Sequence, residues 1–235
     1  LYRPVQIVTT ADRASINPWG SYFRTELIKE GKAEVSVCTN INNAEKCLVV
    51  ENLLIDNEGK TVAQTKTASD VEQRLTVENA RLWSPESPYL YRFVTRLYRN
   101  NKLVDETSQK VGIRTVRVAQ YDGFQLNGKS RKIKGVCLHH DLGPLGAAVN
   151  KAALIRQIRT MKDMGCDAIR TAHNMPSTWQ MEVCDSMGMM VMAESFDMWI
   201  YPKCKNGYAL NFKEWADRDI ENLVRNHRNH PSIVM

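Results

Sequence analysis

Cysteine pairs of the CxxC kind are missing from this chain, whose six cysteines stand at 38, 47, 137, 166, 184 and 204 with no regular interval. That argues against a zinc cluster and against a small disulfide scaffold, so free thiols, mostly buried, are expected. Long apolar runs are missing too: none approaches the roughly 18 residues that a membrane span needs, and no signal-peptide pattern opens the chain. No membrane is therefore expected as a partner. GxGxxG, P-loop, HExxH and GxSxG patterns do not occur, which removes the sequence signs of a dinucleotide or phosphate cradle, a zincin and a serine nucleophile elbow. No cofactor and no metal is called for. Charge of one sign is only slightly in excess, with 32 Lys and Arg against 26 Asp and Glu, a net +6. Divided after Val118, the first part holds 17 basic and 14 acidic residues and the second 15 and 12, so each carries +3 without a basic arm. Nucleic acid, which needs clustered cations to neutralise phosphates, is not expected as a partner.

What is present is an ordinary globular composition, 43% hydrophobic and 25% charged over 235 residues, enough for one large domain or two smaller ones. The opening Leu1-Tyr2-Arg3-Pro4 has no initiator Met, and Ser232-Ile233-Val234-Met235 stops inside an apolar run. A piece of a longer protein is expected.

From Val5 to Val118 the pattern is strand after strand. Ala33 to Thr39 alternates apolar and polar residues, Leu48 to Ile55 is rich in aliphatics, and Tyr89 to Tyr98 is one long strand. Asn57-Glu58-Gly59-Lys60 and Asn100-Asn101-Lys102 read as hairpin tips. Several short strands without a helical stretch imply a β-sandwich of immunoglobulin or fibronectin type. Cys38, Cys47 and Trp83 do not follow the Cys…Trp…Cys order of antibody domains, so packing alone should hold it.

Beyond a hairpin-like element, Asp122 to Lys129, strands and helices alternate. Ile133 to Leu138 reads as a buried strand, and Asn150 caps a helix from Lys151 to Met164 that ends at Gly165. Ala168 to Ala172 is a second strand, followed by a helix from Ser177 to Met187 stopped at Gly188. Met189 to Ala193 is a third strand, Asn211 to Asn229 a third helix, and Ser232 opens a fourth strand. This alternation implies parallel βα units. Nine of the ten methionines lie between Met161 and Met198 and are expected to fill the core.

The unusual polar residues collect at the C-terminal ends of these strands. His139, His140 and Asp141 follow the first, Arg170, His173 and Asn174 the second, Glu194 and Asp197 the third. Such ends converge on a site in a βα barrel and in a doubly wound sheet alike, so they point to a site without choosing the fold. Arg170, in an otherwise apolar strand, needs a carboxylate or a solvated cavity. Glu194 and Asp197 are the close acidic pair. Both follow one strand, whereas the two carboxyl groups of glycosidic cleavage must flank a sugar from opposite sides, so they are not expected to be that pair.

Four segments carry a family resemblance. Arg170-Thr171-Ala172-His173-Asn174-Met175-Pro176, followed by Cys184-Asp185-Ser186-Met187-Gly188-Met189-Met190-Val191-Met192-Ala193-Glu194, resembles the first signature of family 2 glycoside hydrolases, the β-galactosidase, β-glucuronidase and β-mannosidase group. Arg228 to Met235 resembles the opening of the second signature. Leu82-Trp83-Ser84-Pro85-Glu86-Ser87-Pro88-Tyr89-Leu90-Tyr91 is similar to a run of the family's sandwich domain, and Ile133 to Asp141 to its first barrel strand.

The resemblance implies a multi-domain β plus α/β chain: an immunoglobulin-like β-sandwich over 1–118, with 1–9 leaving a preceding sugar-binding domain. The first three to four βα units of a TIM (β/α)₈ barrel follow over 119–235. It implies retaining hydrolysis of a β-glycoside, a β-galactoside first, by two glutamates that both lie beyond Met235, so that residues 1–235 alone are expected to be inactive. By the same resemblance Arg170 orients the nucleophile's carboxylate, and His139 and His173 bind sugar hydroxyls or the transition state. Asn174 and Asp197 contact substrate, and Glu194 supports the rim. The pattern departs from the family's at Asp167, where Asn is usual, and at the residue inserted in His173-Asn174-Met175-Pro176. Ser195 to Trp199 lacks the carboxylate-x-His arrangement by which some members hold magnesium. The alternatives are a β-mannosidase, a β-glucuronidase or a non-catalytic carbohydrate-binding module. The expected partner is a carbohydrate, with a homo-oligomer of the parent left open, and an open strand edge near Ser232 to Met235 would invite pairing with another chain.

Overall fold

The computed structural model describes residues 3–69 and 71–235. Two compact units divide them: one spans Gln6 to Arg131, and the other spans Lys132 to Met235 together with Arg3, Pro4 and Val5. The expected exit segment 1–9 begins on Leu1 and Tyr2, which lie outside the described residues.

The first unit is a sandwich of two antiparallel sheets. One holds β1 (Ser15–Lys29), β2 (Lys32–Asn42) and β5 (Gln73–Val77) in the order β1-β2-β5. The other orders β4 (Thr61–Ala68), β3 (Leu48–Ile55), β6 (Tyr91–Arg99) and β7 (Lys102–Val111) as β4-β3-β6-β7. Both expected tips are hairpin turns, and Asn100 and Asn101 take positive φ of 48° and 63°, the pair that matches strand twist in a two-residue loop. Alternate residues of the two sheets meet in one core, with Phe23, Val35, Val37, Leu54, Leu75, Tyr91, Phe93 and Val111 among its members. Buried polar groups cross between the sheets as well. Asn52 Nδ2 donates to Gln73 Oε1 at 2.9 Å, Thr95 Oγ1 donates to Asn52 Oδ1 at 2.7 Å, and Gln73 Nε2 donates to Val50 O and Thr67 Oγ1. Each partner satisfies another, which removes the cost of burying them.

A ribbon of β8 (Val116–Ala119), β9 (Gly123–Leu126) and β10 (Lys129–Ser130) closes this unit. Asn127 ties it down: its Oδ1 accepts from Thr115 N at 3.0 Å and its Nδ2 donates to Trp83 O at 3.0 Å, while Arg131 pairs with Glu86.

In the second unit β11 (Gly135–Leu138), β12 (Ala168–Thr171) and β13 (Met190–Met192) form a parallel sheet in that order. The crossovers are α1 (Lys151–Asp163) and α2 (Thr178–Met187), and α3 (Phe212–His227) follows β13. Three βα units are thus complete. The fourth strand is present as a parallel bridge from Val191 to Ile233, with Val191 N donating to Ser232 O, Val234 N to Val191 O and Ala193 N to Met235 O. Asn150 accepts from Ala153 N as the cap of α1, Ser177 accepts from Gln180 N as the cap of α2, and Gly188 ends α2 in the left-handed conformation. One face of the sheet (Val136, Leu138, Ile169, Val191) packs on Leu154, Ile158, Met181 and Cys184 of the helices.

Three expectations are corrected. Ile133 to Leu138 is not a buried strand: Gly135 and Cys137 are exposed and Val136 and Leu138 half-buried, because β11 pairs on one edge only. The cysteines are free but not mostly buried, since Cys184 alone is enclosed while Cys47, Cys137 and Cys204 are exposed. Met181, Met189, Met190 and Met198 are core residues, whereas Met164, at the C-cap of α1, faces solvent.

Candidate active site

Residues on the other face of the parallel sheet lie in register: Cys137 stands opposite Arg170, and Arg170 opposite Met192. Alternation along β12 sends Ile169 and Thr171 toward the helices and Arg170 the other way. Each of its guanidinium nitrogens has a neighbour there. Nε donates to Glu194 Oε1, Nη1 reaches Cys137 Sγ at 3.5 Å, and Nη2 lies 3.2 Å from His173 Nδ1. Glu194 follows β13 and is placed by its own backbone, whose N–H donates to Thr171 Oγ1 at 3.1 Å. Its second oxygen, Oε2, lies 3.0 Å from His173 Nδ1. The Ala172–His173 peptide, which turns the chain into the site, is cis.

The cluster extends outward from His173. The His139 ring meets the His173 ring edge-on at 5.5 Å, and Asp197 Oδ1 lies 3.9 Å from His173 Nε2 and accepts from Lys203 Nζ at 2.9 Å. Asn174 is exposed, and its side chain makes no hydrogen bond among the described residues. Five of the six expected site residues therefore form one cluster, and Asn174 stands at its margin. Cys137, Thr171 and Lys203 belong to the cluster and were not singled out. Strand register marks Cys137, as the residue opposite Arg170, but nothing local in the sequence marks Lys203.

Charge is distributed to keep both acids ionised. Burial pushes the Glu194 carboxyl up, but hydrogen bonds from Arg170 and His173 outweigh it and hold the group below its ordinary value. The Lys203 hydrogen bond likewise holds Asp197 low. Arg170 is held above its ordinary value, first by Glu194 and then by Cys137. Such a set of fixed donors and acceptors at a strand-end mouth suits a polyhydroxylated ligand. It contains no protonated carboxyl to act as an acid.

The loop after Asp197 is anchored rather than free. Met198 is buried against Gly207, where an added Cβ would lie 2.2 Å from its sulfur. Phe196 stacks on Tyr208 at 5.1 Å, and Tyr208, pushed up to about 12 by burial and by Asp219, donates to Asp219 Oδ2 at 2.5 Å. Beneath the loop after β11 lies a small pocket, open to solvent, lined by His139, His140, Asp141, Ser177 and Gln180, among others. His140 turns toward it, and burial followed by the Arg3 charge lowers its pKa.

Comparison with known proteins gives the same two parts. The model described as glycosyl hydrolases family 2 matches residues 19–114, and that of the TIM barrel domain of the same family matches residues 116–235. β-Galactosidase BoGH2A of Bacteroides ovatus is 40% identical, over 100% of this chain and 29% of that protein. A putative β-glucuronidase of Formosa agariphila is 35% identical, over 100% of this chain and 23% of its own length. Among solved structures, a β-glycosidase from Bacteroides vulgatus superposes with a TM-score of 0.91 at 37% identity, covering 99% of this chain and 30% of that one. The chain spans less than a third of the length of both named relatives.

Proposed function

Since the chain belongs to family 2 of the glycosyl hydrolases, we propose that the whole protein cleaves β-glycosides with retention and that its substrate is a β-galactoside. The observation that carries this reading is the Arg170–His173–Glu194 network where β12 and β13 end, flanked by His139 and Asp197. In the proposed scheme Arg170 orients the nucleophilic carboxylate and keeps it ionised, and His139 and His173 hydrogen-bond sugar hydroxyls. Asp197 and Asn174 contact the substrate at the mouth, and Glu194 holds the cationic side of the site. Residues 1–118 serve as the sandwich domain and 119–235 as the opening of the catalytic barrel. The name of the Bacteroides ovatus relative supports galactoside over glucuronide.

The acid that protonates the leaving oxygen and the nucleophile are assigned outside residues 1–235. Glu194 and Asp197 are both held ionised and each is bonded to a cation, so neither has a proton to give. Three measurements test the reading. Purified whole protein should hydrolyse an aryl β-galactoside faster than the matching β-glucuronide and β-mannoside, and Arg170→Gln should lower kcat/KM by about 10²- to 10³-fold, the size of losing one fixed donor to developing charge. Residues 1–235 alone should show no turnover. Sugar binding by the whole protein without any hydrolysis would move the reading to a non-catalytic carbohydrate-binding module.

A further inference from the structure

The ring of His173 presents a choice that the geometry resolves. Nδ1 lies 3.0 Å from Glu194 Oε2 and 3.2 Å from Arg170 Nη2. A neutral imidazole nitrogen either carries a proton and donates or is bare and accepts, so it can serve only one of them. Arg170 can spare His173 as an acceptor, because its Nε is taken by Glu194 and its Nη1 by Cys137, while Nη2 belongs to a side chain 39% exposed that water can reach. Glu194 Oε2 does depend on it. Among the described residues His173 is its only hydrogen-bonding partner, and a part-buried ionised oxygen without a donor is costly. A donor to a carboxylate also makes the stronger, charge-assisted bond.

The other ring nitrogen is under no such demand. Asp197 Oδ1 lies 3.9 Å from Nε2, beyond hydrogen-bond reach, and already accepts from Lys203. The charged groups facing the ring are two acids, Glu194 and Asp197, and the cation Arg170, with Lys203 bonded to Asp197 and the His139 ring on the edge of His173.

We propose that Glu194 is a positioning residue that fixes His173 as its Nδ1–H tautomer, leaving Nε2 bare toward the mouth of the site to accept a hydrogen bond from a substrate hydroxyl. This rests on the glycosidase reading for the identity of the hydroxyl but not for the tautomer. The preference comes from a residue on the neighbouring strand, so the pairing of β12 with β13 sets which end of the ring can receive a ligand.

The test is a long-range ¹⁵N–¹H spectrum of the chain carrying ring-labelled histidine, taken at a pH of about 8. The His173 signals are assigned by their loss in His173→Gln. The expected result is a protonated Nδ1 and a bare Nε2, with Glu194→Gln moving the ring toward the Nε2–H form, because an amide can donate to Nδ1 as readily as accept from it. An Nε2–H or doubly protonated ring in the unmodified chain overturns the proposal, as does an unchanged tautomer in a folded Glu194→Gln variant. Should that variant not fold, the unmodified spectrum alone decides. Because the spectrum needs no substrate, its failure is separate from failure of the hydrolysis assay.

Discussion

His227 shows how one buried ring makes stability depend on pH. Its Nε2 donates to Pro176 O at 3.1 Å, while Nδ1 is buried with no partner among the described residues. Burial, then the neighbouring His230 and Arg3, lower its pKa to about 3. A proton on Nδ1 would be a charge with neither water nor an acceptor. The sign follows directly: between the ordinary 6.5 and about 3 the unfolded chain binds a proton that the native chain refuses. Stability from this group is therefore complete above 6.5 and falls as pH drops, by about 1.4 kcal/mol per unit. Urea midpoints at two pH values inside that window should show the loss, and His227→Gln should flatten it relative to the unmodified chain. Glu194 acts in the same direction for the opposite reason, since the native chain favours its charged form: its contribution is present above 4.5 and is lost as pH falls through its own lower value.

At the scale of elements, the helix ends carry the clearest predictions. Gly188 closes α2 at φ 69° and ψ 50°, where a Cβ is strained, so Gly188→Ala should cost about 1 kcal/mol. Asn150→Ala should cost about as much by leaving Ala153 N–H without its acceptor. Both are read as shifts of the denaturation midpoint with an unchanged slope. These same caps are why α1 and α2 were legible in the sequence: Asn150, Gly165, Ser177 and Gly188 act through local geometry that one sequence displays. The strands β3 and β6 were legible for a similar reason, through runs of apolar residues between turn formers. What escaped was whatever depends on partners far along the chain. The exposure of β11 follows from having one neighbour, the Asn52–Gln73–Thr95 clamp joins three strands, and Lys203 reaches Asp197 across a loop. Likewise, strand ends could nominate Arg170, His173 and Glu194 as neighbours, but which atom faces which is a matter of register and rotamer.

For the molecule as a whole, two units with separate cores predict separate unfolding. The sandwich has its core around Val35, Leu54 and Phe93 and carries the fully buried Trp83, and the βα unit has its core around Ile158, Ile169 and Met181. Residues 6–131 expressed alone should melt cooperatively with a buried tryptophan signal, and a featureless melt would show that the sandwich needs the rest of the chain. The βα unit is tied together differently. Asp185, buried on α2, accepts from His230 Nδ1 at 2.5 Å and from Ser232 N at 3.0 Å. Those bonds close a loop of more than forty residues, a costly closure that only a preformed anchor rewards. Asp185 therefore joins α2 directly to the segment that pairs with β13. One side chain thus fastens the second helix to the fourth strand, so that whatever loosens one of them loosens the other.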